Sequence, residues 1–250
     1  QFVRDRRQSL RRLQLVLDGQ TGLLNEDNDD LFAHDFTPLR EMAHGQPDVG
    51  RVFDDMLRLV FNAATFAEAP RLHAVHLTQH GEIALRVGED GGYFGVVSIG
   101  DPARLMELLR GREIVAGRDP VQGTSLFAEI NRRNPKHRVN VLIGSRKFTE
   151  GWNSWRVSTI GLVNFAKGRG SQAIQMFGRG VRLKGYQGLL KRSHALSSSV
   201  HAPQVKHFGK LETLTLFGVK ANYMVEFKKF LEMEGVSSNE NITEVTLPVV

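Results

Sequence analysis

From Phe94 onward the sequence repeats one rhythm: an apolar run, a tight turn, then a helical stretch. Phe94–Ile99 is nearly continuous and apolar, and Gly100-Asp101-Pro102 follows it into a helix reaching Leu109. Asp101 suits the cap and Pro102 the first helical position, where its missing N–H costs nothing. Ser125–Arg133 reads as a second helix, and Val139–Ile143 and Thr159–Phe165 as buried-type strands. Ser171–Phe177 reads as a helix opening after a Gly-rich turn. Strands apolar on both faces, alternating with helices, predict a parallel sheet flanked by helices, hence an α/β fold. Ligands in such folds bind at the carboxyl ends of the strands, where the basic loops after Ile143 and Phe165 lie.

The sequence ahead of this region reads differently. Val3, Leu10, Leu13 and Leu17 fall on one helical stripe that Gly19 ends. Residues Gln20 to Gly50 are rich in Asp, Asn and Gly and read as connecting structure. Arg51–Ala67 regains helical periodicity, and Pro70 ends it. Leu72–Leu77, Ile83–Val87 and Tyr93–Ile99 are apolar runs, with Asp90-Gly91-Gly92 as a hairpin turn between the last two. The expected organisation is a helical connecting segment over 1–70, a small β-rich insertion over 71–92 and the α/β lobe with a C-terminal extension over 93–250. In that extension, Leu211–Phe217 and Ile242–Val250 read as strands and Tyr223–Glu234 as a helix.

Composition narrows the chemistry. The absence of cysteine excludes a disulfide scaffold, a thiolate nucleophile and Cys-ligated metal. No apolar run approaches the roughly 20 residues that span a bilayer, and the expected compartment is the cytoplasm. The formal net charge is +6, but its distribution is uneven. Asn131–Lys220 holds 17 Lys/Arg against two acids, Glu150 and Glu212, a net of +15. The remainder carries −9, much of it from nine Asp/Glu between Glu26 and Asp55. A concentrated positive window is the footprint of contact with a polyanion, either nucleic-acid backbone or nucleotide phosphate. A solvated basic face balanced by an acidic half would look the same by charge alone.

Two segments in that window carry chemistry. Ser145-Arg146-Lys147-Phe148-Thr149-Glu150-Gly151-Trp152-Asn153-Ser154-Trp155 follows a strand and holds both tryptophans. Its hydroxyls, its cations and a glycine that lets backbone approach closely suit phosphate contact. Alternatively, both tryptophans anchor a core. The second is Gln172 through Lys184, which includes Gln175-Met176-Phe177-Gly178-Arg179-Gly180-Val181-Arg182. Arg179 and Arg182 are three residues apart and project from one side of a helical turn. Paired guanidiniums suit a phosphoryl group better than lysines do. An ordinary basic helix end would read alike.

In this order, with a strand between them, the segments resemble motifs V and VI of the superfamily 2 helicases and translocases. Gln175-x-x-Gly178-Arg179-x-x-Arg182 is similar to motif VI. Ser145 to Gly151-Trp152-Asn153 is similar to motif V, in the Thr-Glu-Gly-Trp form of restriction-enzyme R subunits, notably type III Res proteins. Tyr93–Asp101 and Leu214–Met224 also resemble that branch.

The resemblance implies a RecA-like second motor lobe acting on DNA, with RNA open to the same contacts. Arg179 and Arg182 would be the catalytic arginines that reach the ATP γ-phosphate. Gly151, Asn153, Gln175 and Gly178 would line the nucleotide site, and Ser145, Arg146 and Thr149 would meet the nucleic-acid backbone. Asn153 stands where the family usually has Asp, keeping an acceptor oxygen for the ribose but losing the charge. The implied cofactors are ATP and Mg²⁺, the metal held mainly by a first lobe. The implied partners are that first lobe in the same longer chain and a modification subunit, with no membrane.

Other residues bear on what the chain lacks. No G-x-x-x-x-G-K-[ST] loop occurs, and Gly117 to Ser125 lacks its Lys and spacing. Asp54-Asp55 sits in a helical pattern rather than after a strand. Glu226-Phe227-Lys228 has no following or preceding Asp beyond Asp119, so it reads as a helix face rather than a nuclease site. His73, His76 and His80 have near-metal spacing but no carboxylate until Glu82, and no metal is expected. The chain starts Gln1-Phe2-Val3 without Met. Together these lead us to expect one lobe of a longer enzyme. The competing expectation is a non-catalytic nucleic-acid-binding module, and a third is a scaffold lobe docking a partner through Tyr186–Lys210.

Overall fold

A computed structural model describes residues 2–25, 27–42, 48–63, 71–119, 125–133, 135, 137–144, 154–163, 175–178, 180, 186–189, 191–196 and 206–219. The fold is α/β. The described residues belong to two compact units, one within Gln1–Lys147 and the other within Phe148–Glu244.

The first unit is built on a five-stranded sheet. Its strands are β1 (Leu72–Leu77), β2 (Glu82–Val87), β3 (Gly95–Ser98), β4 (Ile114–Asp119) and β5 (Val141–Gly144), in the order β4-β1-β2-β3-β5. The sheet is mixed: the hairpin expected at Asp90-Gly91-Gly92 pairs β2 with β3, and the parallel pairing expected from Phe94 onward holds for β3 with β5. β2 is antiparallel to β1 and β3, while β1 with β4 and β3 with β5 are parallel. Chain length explains this. The β1–β2 and β2–β3 connections are hairpin-sized, and a parallel pair needs a crossover of a dozen or more residues. The strands read as a β-rich insertion, β1 and β2, are thus hydrogen-bonded into the sheet that holds β3 and β5.

Neighbouring residues of each strand point to opposite faces, and both faces are covered. On one face, Val75, Leu77, Ala84 and Val96 pack with Leu126, Ile130 and Val139. Leu126 belongs to a short helix, α5 (Leu126–Glu129), capped by Ser125, whose side chain accepts from the Ala128 N–H. The fully buried Glu82 holds this helix to the sheet. It accepts from Ser125 Oγ at 2.5 Å and from the Leu126 N–H at 2.9 Å. On the other face, Ala74, Ile83 and Val97 meet Leu105, Met106 and Leu109 of α4 (Pro102–Leu109). Asp101 caps α4 through the Arg104 N–H, as expected.

The N-terminal helices join that second face. In α1 (Arg6–Leu17), Asp5 accepts from the Gln8 N–H. Gly19 follows the helix at φ +77°, where a Cβ would meet the Ala33 carbonyl oxygen at 2.7 Å. A short α2 (Thr37–Met42) lies in the stretch read as connecting, and α3 spans Val49–Leu59 behind Asp48 as cap. Leu13, Phe53, Leu57 and Ala63 pack with Val87 and Phe94. Two asparagines fasten the junction. Asn140 Nδ2 donates to the Leu59 and Val60 carbonyls at the end of α3. Asn62 Nδ2 donates to the Tyr93 and Arg138 carbonyls.

The second unit holds a two-stranded parallel sheet of β6 (Thr159–Val163) and β7 (Thr215–Val219), with Thr159 opposite Thr215. The Thr215 N–H donates to the Ser158 carbonyl just ahead of β6. The strand expected over Leu211–Phe217 begins at Thr215, because Phe208–Leu211 turns as a short helix. The helix expected over Tyr223–Glu234 and the strand expected over Ile242–Val250 lie outside the described residues.

Candidate nucleotide and nucleic-acid site

Of the nine candidate site residues, Gln175 and Gly178 are among the described ones. Ser145, Arg146, Thr149, Gly151, Asn153, Arg179 and Arg182 lie outside them. Residues 175–178 are helical, with two contrasting sides. Met176 and Phe177 are buried, whereas Gln175 and Gly178 are exposed. Gln175 and Gly178 are one turn apart, so they share the open side.

The two glycines of this segment serve different ends. Gly180 is buried, and a Cβ there would lie 3.0 Å from Ile160 Cδ1 of β6 and 3.0 Å from Leu214 Cδ2, just ahead of β7. Packing on the parallel pair accounts for Gly180. At Gly178 a Cβ would meet nothing within 4 Å among the described residues. Packing among the described residues therefore does not call for Gly178, and a bare backbone there suits close approach of a ligand.

The segment Ser145–Asn153 is bracketed by described residues. Gly144, which ends β5, is exposed and immediately precedes Ser145, and Ile143 is 48% exposed. On the far side Ser154 is buried, and its Oγ accepts from the Arg156 N–H at 3.2 Å, forming a tight turn. Trp155 in that turn is 55% exposed, so it does not anchor a core. The local sequence does not place Trp155, because an aromatic after a buried serine packs inward or outward according to distant partners.

The residues weighed as a phosphate loop or metal box have other positions. Gly117 lies inside β4, opposite Val75, rather than in a loop. Asp54 and Asp55 lie on α3, where Asp54 accepts from Arg6 at 2.6 Å and Asp55 from Arg58 at 2.8 Å. Among the described residues, no three His, Asp or Glu side chains come together as a metal site. His73 and His76 point to opposite faces of β1, one opposite Arg86 and the other opposite Ile83. Glu226 and Lys228 lie outside the described residues. Among the described residues, no helix is long and apolar enough to cross a membrane.

His73 supplies a pH dependence. It is buried, and burial lowers its pKa below the ordinary histidine value. The Arg86 and Arg71 cations push the same way, against Glu89. The unfolded chain therefore binds the proton more readily. The stability from neutral His73 is full above about pH 6.5 and is lost as pH falls below that value. Thermal melts from pH 7.5 to 5.5 should show a smaller acid-side loss in His73→Gln than in the natural chain. Parallel curves would contradict this.

Compared with known proteins, the chain matches no family model, no curated protein and no solved structure.

Proposed function

We propose that this chain is the RecA-like second lobe of a superfamily 2 ATP-dependent DNA helicase or translocase of the restriction or defence type. The observation that carries the reading is the helical segment on β6 and β7. It buries Met176, Phe177 and Gly180 and turns Gln175 and Gly178 outward. Arg179 and Arg182 follow Gln175 by four and seven residues, the spacing of one helical stripe. Gln, Gly and two Arg at that sequence spacing suit a nucleotide phosphate: guanidinium donors for oxygens, an amide for a polar edge, bare backbone for close approach.

ATP, with Mg²⁺, would supply the phosphoryl group and the free energy of its hydrolysis. The role of this chain is to place positive charge where the transition state gathers negative charge. Arg182 and Arg179 are assigned that role. Gln175 and Gly178 line the same cleft. Gly151 and Asn153 border the nucleotide, Asn153 toward the ribose. Ser145, Arg146 and Thr149 take the nucleic-acid backbone, of DNA or, through the same groups, RNA. The phosphate loop and the Mg²⁺ carboxylates belong to a first lobe, which this reading requires as partner. A modification subunit is a further partner of this enzyme class.

The +15 window also supports a second reading, a nucleic-acid-binding module without catalysis. The two readings separate on nucleic-acid-stimulated ATP hydrolysis once a first lobe is present. The motor requires it, whereas the module binds in a salt-dependent way without it.

A further inference from the structure

From Gly151 to Val225 the sequence holds eleven Lys/Arg and a single acid, Glu212. The structure shows what that acid does. Both of its carboxylate oxygens accept from the Ser193 N–H, at 2.9 and 3.1 Å, and one also accepts from Ser193 Oγ at 2.9 Å. These bonds hold the 3-10 turn Ser193–Ala195 beside the short helix Phe208–Leu211. The exposed Lys191 and Arg192 run into that turn, and the exposed Lys206 and Lys210 flank the short helix.

Topology brings an aromatic to the same place. The short helix leads within four residues to the start of β7, and the Trp155-Arg156 turn leads within three to the start of β6. The strands are parallel and in register from Thr159 and Thr215, so both approaches lie at the amino end of the pair. This is opposite to the carboxyl ends, where α/β folds ordinarily take ligands. Trp155, 55% exposed, thus stands at one end of a sheet with five cations.

We infer that this end of the second unit is a binding surface for single-stranded nucleic acid, with a base stacked on Trp155 and the phosphate backbone tracking Lys191, Arg192, Lys206 and Lys210. Cations alone would suit any polyanion. An exposed indole among them adds a π-face, which an unpaired base meets directly and a duplex base does not. The surface is independent of the motor reading, because it uses no residue assigned to the nucleotide.

The test is binding of the chain, without ATP, to labelled oligothymidylate, oligouridylate and a duplex of about twenty nucleotides across a salt series. At least one single strand should bind more tightly than the duplex, and the two single-stranded arms tell DNA from RNA. Trp155→Ala should weaken that binding about tenfold and Trp155→Phe should keep most of it. The double variant Lys191→Gln, Arg192→Gln should lower the salt slope by about 1.4, roughly 0.7 per phosphate contact on a single strand. All these side chains are exposed, so circular dichroism melts of the variants should superimpose. Equal or tighter duplex binding, an unchanged affinity for Trp155→Ala or an unchanged slope for the double variant would each overturn the inference. ATP hydrolysis plays no part, so its absence once a first lobe is supplied would count against the motor reading and leave this result standing.

Discussion

Replacing Arg182 by alanine, in a full-length protein that supplies a phosphate loop, is expected to lower ATP hydrolysis about 10³-fold or more. At about 1.36 kcal/mol per decade, that is roughly 4 kcal/mol of transition-state stabilisation. The size follows from where the charge is needed. A guanidinium in a cleft between lobes faces little competing water, so its field on a transferring phosphoryl group is only weakly screened. Arg182→Lys should recover little, because one ammonium cannot reproduce two parallel N–H donors. Nucleic-acid binding without ATP should change little, since the arginine is assigned to the nucleotide. Steady-state hydrolysis with saturating DNA reads all three outcomes, and a rate unchanged in Arg182→Ala would remove that residue from the catalytic role.

Phe53→Ala should cost about 3–5 kcal/mol of folding stability. Phe53 is 1% exposed and packs with Leu13, Leu57, Val87 and Phe94. Its ring lies 5.3 Å from the Phe2 ring, and the Arg6 guanidinium sits 5.0 Å above it. Truncation would leave a cavity between α1, α3 and the sheet, lined by groups held in place by the Asn140 and Asn62 hydrogen bonds. That cost is a large part of the 5–15 kcal/mol that holds a typical domain together. The denaturant midpoint should fall with little change in slope. A shift below about 0.5 kcal/mol, the usual surface value, would mean that these helices contribute little to the sheet's stability.

Local signals carried far in this chain. The cap at Asp101, the stripe of α1 and the apolar runs of β1, β2, β3, β5 and β6 all formed near their expected places. What was not legible depended on distant partners. β4 carries Gly117, Arg118 and Asp119, an unpromising strand by composition, and owes its existence to pairing with β1. Side-chain acceptors order the Asp-rich stretch after Gly19, where Asn25 Oδ1 accepts from the Asp29 N–H. Asp30 accepts from the Thr21 N–H and hydroxyl and from the Gly22 and Phe32 N–H groups. The β2–β3 hairpin was legible in Asp90-Gly91-Gly92, whereas the parallel pairing of β1 with β4 joins segments far apart in sequence and was not.

The site was legible in the same uneven way. A helix was expected over Ser171–Phe177, and residues 175–178 are helical with Gln175 and Gly178 exposed. The exposure of Trp155 and the pairing of Ser193 with Glu212 link residues far apart in sequence, so no local pattern announced them. The difference between Gly178 and Gly180, one open and one packed, likewise needs the neighbours Ile160 and Leu214 to be seen.

As the second motor lobe proposed above, this chain would complete an ATP site begun by another lobe. The most direct measurement joins it to a lobe carrying the phosphate loop and Mg²⁺ carboxylates and follows ATP hydrolysis with and without DNA. DNA-stimulated hydrolysis should appear only with this chain present and disappear when Arg179 and Arg182 are both alanine. Hydrolysis indifferent to the chain, or to both arginines, would contradict it.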